Sequence, residues 1–284
     1  MRSVSNYSLF LLVSSNRYFS SALVQPANSR IKAFGSFSTT KMALSQSSIS
    51  DLSIESNLQS VRSRIQSACE ASGRSPDDVE LIAVSKTKPL ELLKEAYENN
   101  QRIFGENYVQ ELVEKAPEMP IDVKWHFIGT LQSNKASMLV KKVVPNSSSF
   151  TIETVTSKKL ANKLNNAMKE FEDKKLDIFV QVNTSGEESK GGVTPADVVS
   201  LCKDITESCD NLNLKGLMTI GAIGDLSCFQ ILVKCRDEVA SELDRSDLCL
   251  SMGMSGDFET AISEGATHVR VGSTIFGARD YSKK

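Results

Sequence analysis

Residues 81–88 read Leu-Ile-Ala-Val-Ser-Lys-Thr-Lys, and Pro89 follows at once. Four apolar residues that break off into Ser-Lys-Thr-Lys, with a proline opening the next helix, suit a buried strand whose C-terminal end delivers Lys86 to a cavity. Alternation puts Ile82, Val84 and Lys86 on one face. Burial disfavours an inward ammonium, so the lysine pKa is expected to fall from about 10.4 toward the range in which the free amine is a nucleophile. Schiff-base chemistry needs that form. A surface lysine pair after an edge strand is the other reading of the same residues.

The segments on either side repeat the theme. Short apolar strands are expected at Arg102–Gly105, Lys124–Gly129, Ser148–Glu153, Leu176–Asn183, Leu214–Ile220, Cys249–Met254 and His268–Gly272. Helical spacing of apolar residues fills the intervals: 51–73, 89–99, 109–116, 133–143, 157–171, 195–208, 229–243 and 258–264. Strands that alternate with helices pair in parallel through right-handed crossovers. Eight such units in residues 51–284 fit a (β/α)8 TIM barrel, whose usual length is about 250 residues. An open doubly wound sheet is the alternative, and it would usually carry a G-x-G-x-x-G turn where this chain has Ser85-Lys86-Thr87.

Residues 1–50 differ from the rest. Arg2, Arg17, Arg30, Lys32 and Lys41 all precede the first acidic residue, Asp51, and serine is abundant. That composition is expected of an organellar transit peptide, mitochondrial rather than plastid, or of a tail without an address. Translation from Met42 would remove most of it and leave a cytosolic protein. The remaining 28 basic residues stand against 35 acidic ones, a net of −7. Neither nucleic acid nor a membrane is an expected partner. Six cysteines at 69, 202, 209, 228, 235 and 249 lack C-x-x-C spacing, so no metal site is expected and they read as small core residues.

In a barrel the chemistry gathers at the C-terminal strand ends. Those ends carry Lys86, then Gly105-Glu106-Asn107-Tyr108, Gly129, Gln181 to Gly186, Gly216 to Thr219, Ser251 to Ser255, and Arg270 to Thr274. Along the eighth strand His268, Arg270 and Gly272 share one face and Val269 and Val271 the other, so the polar set is expected to look into the barrel. An inward arginine demands a partner. Gly272-Ser273-Thr274, with Ser251 and Ser255 nearby, offers N–H groups and hydroxyls where barrels of this kind commonly hold phosphate. Pyridoxal 5′-phosphate answers to all three features, with an aldehyde for Lys86, a phosphate for the cup and a ring nitrogen for Arg270. An arginine, always charged, keeps that nitrogen unprotonated and mutes carbanion chemistry.

With these residues in view the chain resembles the pyridoxal phosphate homeostasis proteins, which are similar to the barrel of alanine racemase. The likeness runs through 81–89, 102–111 (Arg-Ile-Phe-Gly-Glu-Asn-Tyr-Val-Gln-Glu), 125–129 (Trp-His-Phe-Ile-Gly), 131–135, 215–218, 251–255 (Ser-Met-Gly-Met-Ser) and 270–277 (Arg-Val-Gly-Ser-Thr-Ile-Phe-Gly). It implies a single barrel of fold type III and Lys86 carrying the cofactor as an internal aldimine. It further implies phosphate held around Gly272 and Ser273, and Asn107, His126 and Met218 at strand ends that line the ring. Lys190, Lys283 and Lys284 resemble secondary or transfer lysines. The small departures are Thr130 and Ser273. The resemblance implies cofactor binding and supply, without an established reaction, in a monomer or weak dimer whose partners include pyridoxal phosphate-dependent apoenzymes. A racemase needing a second base, for which Tyr108 is the candidate, and an aldolase-like barrel acting on a sugar phosphate are the enzymatic alternatives.

Overall fold

The computed structural model describes residues 53–222 and 224–278. The expected transit peptide, Lys283 and Lys284 therefore lie outside the described residues. Eight parallel strands close in sequence order: β1 (Glu80–Val84), β2 (Ile103–Glu106), β3 (Lys124–Phe127), β4 (Ser149–Val155), β5 (Leu176–Gln181), β6 (Leu212–Met218), β7 (Cys249–Met254) and β8 (His268–Val271). β8 returns to β1, with Glu80 opposite His268 and Ile82 opposite Arg270. Closure leaves no unpaired edge.

The helices are α1 (Ile54–Ala71), α2 (Leu90–Glu98), α3 (Val109–Lys115), α4 (Ala136–Val143), α5 (Lys158–Met168), α6 (Val198–Ser208), α7 (Ser227–Leu243), α8 (Phe258–Ser263) and α9 (Ser273–Phe276). The first starts at Ser53, whose hydroxyl accepts the Ser56 N–H at 3.2 Å. It presents Leu58, Val61, Ile65 and Cys69 to the interior and packs against α8 and α9. Each strand turns alternate residues outward, among them Phe104, Trp125, Ile152, Ile178, Leu217, Leu250 and Val269, into one continuous apolar layer beneath the helices.

The inner face is different. His126, Glu153, Ser251, His268 and Arg270 are all buried there, alongside Ile82, Phe179 and Met218. Barrels of this type are usually filled with branched apolar side chains. Here one side of the interior is polar.

Several expected boundaries shift. β1 stops at Val84, so Lys86 does not continue the strand as alternation suggested; Ser85 to Lys88 form a turn closed by the Lys88 N–H on the Ser85 carbonyl at 3.1 Å. β4 runs to Val155 and β6 begins at Leu212, while β3 and β5 end two residues early, where the chain leaves to build loops. The short α9 falls where a loop was expected. All six cysteines are free, five of them buried, and burial pushes the Cys202 thiol up to about 12 and Cys235 to about 11. Among the described residues no helix is long and apolar enough to cross a membrane.

Candidate functional site

The C-terminal ends of the strands surround a cavity of about 810 Å³. Lys86, Asn107, Met218, Ser255, Arg270, Gly272 and Ser273 line it, seven of the nine residues expected at the site. Lys88, Gly256, Asp257 and Gly277 complete much of its wall. Asp257 is turned into its own loop, where it accepts the Met254 N–H at 2.6 Å.

The turn that holds Lys86 is strained and heavily braced. Thr87 sits third in it with φ of 60°, where glycine or asparagine is favoured. For a β-branched residue that conformation costs about 1–2 kcal/mol. Its N–H donates to Glu111 Oε2 at 2.8 Å. Ser85 before the lysine is fully buried and donates through Oγ to Glu106 Oε1 at 2.7 Å and through its N–H to the Gly105 carbonyl at 2.9 Å. Asn107 is set beside it by close packing: a side chain at Gly129 would meet the Asn107 carbonyl oxygen at 1.9 Å, so only glycine fits.

Arg270 forms the floor. Its guanidinium donates to Ser251 Oγ at 2.6 Å and to the Thr219 carbonyl at 2.7 Å. These bonds use two of its five N–H groups. Ser251 Oγ passes the interaction on to Glu153 Oε2 at 2.6 Å, and the Glu153 carboxylate lies 4.0 Å from Arg270. The other carboxylate oxygen is 2.6 Å from His126 Nδ1, which carries the hydrogen because an ionised carboxylate only accepts. Burial alone would push the Glu153 carboxyl up; the His126 hydrogen bond and the nearby His126, Arg270 and His268 together outweigh it and hold the group below its ordinary value. The inward arginine thus has its partner, and it is Glu153, a residue the sequence reading had not singled out.

Two expectations change here. Ser251 was expected at the phosphate cup, but it lies fully buried beneath the cavity with its hydroxyl engaged between Arg270 and Glu153. His126, expected beside the ring, is likewise below the cavity wall, held by Glu153 and with its ring 5.8 Å from that of His268. Both sit one layer down because an inward side chain on a tilted parallel strand two residues nearer its N-terminus reaches the level below. Lys190 is in a surface turn, its carbonyl accepting from Gln181 Nε2 at 2.9 Å, and does not line the cavity. Tyr108 is exposed at the start of α3 and does not line it either.

The donor set suits an anionic aromatic aldehyde. The cavity offers a primary amine at Lys86, a fixed cation at Arg270, and hydroxyl and glycine backbone at Ser255, Gly256, Gly272 and Ser273. Among the described residues Asn107 Oδ1 is buried without a hydrogen-bond partner, an acceptor open to a donor. Among the described residues no group of His, Cys, Asp and Glu is arranged to hold a metal ion.

A closed parallel barrel with a lysine past its first strand and a buried arginine on its last places the chain with the alanine racemase-type barrels. The family model for the alanine racemase N-terminal domain matches residues 56–280. Human pyridoxal phosphate homeostasis protein is 46% identical over 253 residues, covering 82% of this chain and 90% of the relative. The protein of the same name from Schizosaccharomyces pombe is 47% identical over 236 residues, covering 81% and 94%. The chain belongs to the pyridoxal phosphate homeostasis protein family. Among solved structures, PipY of Synechococcus elongatus with pyridoxal phosphate bound is 34% identical, with a TM-score of 0.66 over 79% of this chain and 100% of PipY. An alanine racemase from Clostridium difficile, 16% identical with a TM-score of 0.60 over 80% of this chain and 58% of the racemase, shares the fold.

Proposed function

We propose that this chain binds pyridoxal 5′-phosphate in the strand-end cavity, with Lys86 as the covalent residue, and serves intracellular cofactor homeostasis by holding and supplying it rather than by turning over a substrate. The observation that carries this reading is the convergence of Lys86, Arg270 and the Ser255–Gly256 and Gly272–Ser273 loops on one cavity. Relatives that carry the homeostasis name, and PipY with the cofactor bound, support it. When bound, the cofactor supplies an aldehyde that condenses with a primary amine and a ring that draws electron density from an amino-acid α-carbon.

The protein's own groups set the limits of that chemistry. Lys86 would supply the primary amine for that condensation, which releases water. Ser255, Gly256 and Ser273 would hold the phosphate through hydroxyl and N–H donors, the Gly272 N–H being given to Ser255 Oγ at 3.2 Å. Arg270, fixed by Ser251 and Thr219, would offer the bound cofactor a guanidinium cation, a hydrogen-bond donor and a poor source of a proton. Glu153 keeps that cation in place through Ser251 and its own carboxylate, 4.0 Å from the guanidinium.

A racemase requires bases on both faces of the substrate, and among the described residues no tyrosine or histidine lines the cavity. The test is an absorbance spectrum of the full chain beside Lys86→Ala after free cofactor is removed. A band near ~420 nm in the parent, lost in the variant, is the expected result. A colourless protein that takes up no added pyridoxal phosphate overturns the reading. Incubating amino acids with the loaded protein in deuterated water separates the enzymatic alternative, which requires exchange of the α-proton.

The proposal extends to partners and place. Pyridoxal phosphate-dependent apoenzymes are the expected recipients, tested by activation of an apo-transaminase with loaded protein beside an equal concentration of free cofactor. Residues 1–50, basic and acid-free, are proposed to direct the chain to mitochondria, with plastid or, from Met42, cytosol as the alternatives. A fluorescent fusion of the full chain compared with one begun at Met42 decides between them.

A further inference from the structure

Beneath the turn that carries Lys86, on the helix side of the barrel wall, lies a second lysine that the cavity does not use. Lys115, at the end of α3, is almost buried, and its ammonium makes three hydrogen bonds: to the Ser85 carbonyl at 3.0 Å, Glu106 Oε1 at 2.8 Å and Glu111 Oε2 at 2.8 Å. An ammonium has three hydrogens, and all three are engaged. Both carboxylates reach back to the same turn. Glu106, fully buried at the end of β2, accepts the Ser85 hydroxyl; Glu111, one turn before Lys115 on α3, accepts the Thr87 N–H. Residues 85 and 87 are therefore gripped on both sides of Lys86 by one charged cluster.

We propose that Glu111 and Lys115, with Glu106 behind them, are positioning residues for Lys86, holding the Ser85–Lys88 turn in the left-handed bend that presents its amine to the cavity. This rests on the reading of Lys86 as the reactive lysine. Two features of the structure call for such a clamp. The first is Thr87, whose φ of 60° is one that a β-branched residue leaves readily when nothing holds it. The second is that β1 has already ended at Val84, so residues 85–88 follow a turn and not a strand. The cluster also keeps the Lys115 nitrogen turned to its three acceptors and out of the cavity lining.

The experiment follows the reactivity of Lys86 rather than any turnover. Cofactor-stripped full-length protein is treated with a trace of acetic anhydride across a pH series, and acetylation of Lys86 is read by mass spectrometry against the exposed lysines. In parallel, the rate of appearance of the ~420 nm band on adding pyridoxal phosphate is recorded. For Glu111→Ala both rates at Lys86 are expected to fall about tenfold, as displaced reacting groups lose rate steeply, while the exposed lysines react as in the parent and the protein stays folded with a lowered melting temperature. Glu111→Gln keeps an acceptor for the Thr87 N–H and is expected to lose only about twofold to threefold. Adding Thr87→Gly to Glu111→Ala, which lets the turn adopt its positive φ without strain, is expected to return most of the lost rate. Lys115→Met risks misfolding because it strands Glu106; Lys115→Arg, with Glu111→Ala, keeps the test independent of it. Parent-like rates in Glu111→Ala, or no rescue by Thr87→Gly, overturn the proposal. Failure of the parent itself to form the band, with Lys86 still responding to Glu111→Ala in the anhydride series, would instead sink the cofactor reading and leave the clamp standing.

Discussion

The two faces of the barrel wall are built on opposite principles. Outside, Phe104, Trp125, Ile152, Ile178 and Val269 meet the helices in a layer where any well-packed apolar side chain serves, and stability follows from area removed from water. Inside, His126, Glu153, Ser251, Arg270 and His268 form a chain of hydrogen bonds and ring contacts in which each residue has a specific partner. A packed face tolerates exchange; a charged one does not. Taking two charges out of water costs several kcal/mol each, and that cost is offset only while both partners are present. The barrel therefore places its least substitutable residues directly under the cavity, where Arg270 must be held still.

Four substitutions test this contrast. Glu153→Ala, which leaves Arg270 and His126 buried without their carboxylate, is expected to lower stability by about 3–5 kcal/mol in urea unfolding. If it costs no more than a surface change, the inner chain is not structural. In the apolar layer outside the wall Leu139→Ala, at a fully buried position on α4, is expected to cost about 2–5 kcal/mol while leaving the ~420 nm band and its formation rate as in the parent. A change in the band from that variant would erase the distinction between the faces.

The third concerns acid. At the far mouth of the barrel Glu80 Oε2 lies 3.1 Å from His268 Nε2, and that hydrogen bond, working against burial, lowers the Glu80 carboxyl to about 2. A depressed carboxylate contributes stability that is fully present above its unfolded value, near 4.5, and is lost as pH falls toward about 2. Half of the side chain is in water, so the effect is modest. Glu80→Gln should thus flatten the loss of stability between those values and leave stability near neutral pH slightly reduced, as measured by melting temperature against pH. The smallest effect is expected at Lys203, whose pairing with Glu242 lies in solvent: Lys203→Ala should leave the unfolding midpoint where it is.

How much of this could be read beforehand divides along the same wall. The outer layer announces itself, because apolar runs bounded by turns recur at barrel spacing, and all eight strands lie where the runs do. The inward turn of His268 and Arg270 was also legible, since they alternate with Val269 and Val271. Glu153 was not singled out, although Thr151 and Glu153 alternate with Phe150 and Ile152 in the same way; in a sheet covered on both faces that alternation points inside rather than to solvent. The Glu106–Lys115 pair had no such signal. Its members sit nine residues apart on a strand and a helix, a relation that no local period encodes. Ser251 and His126 were placed on the right strands but one level too high, because alternation gives a side and not a depth.

The chain contains two histidines, His126 and His268, and both are inside the barrel, with rings 5.8 Å apart. Its exterior is thus devoid of imidazole. A proton NMR spectrum of the ring hydrogens would hold two residues' signals and no background from the surface, each neighbouring a carboxylate at one end of the polar chain. Without any label being introduced, the protein carries a pair of reporters on the floor of its own cavity, and ligand entry above Arg270 should register in them before it registers anywhere else in that spectrum.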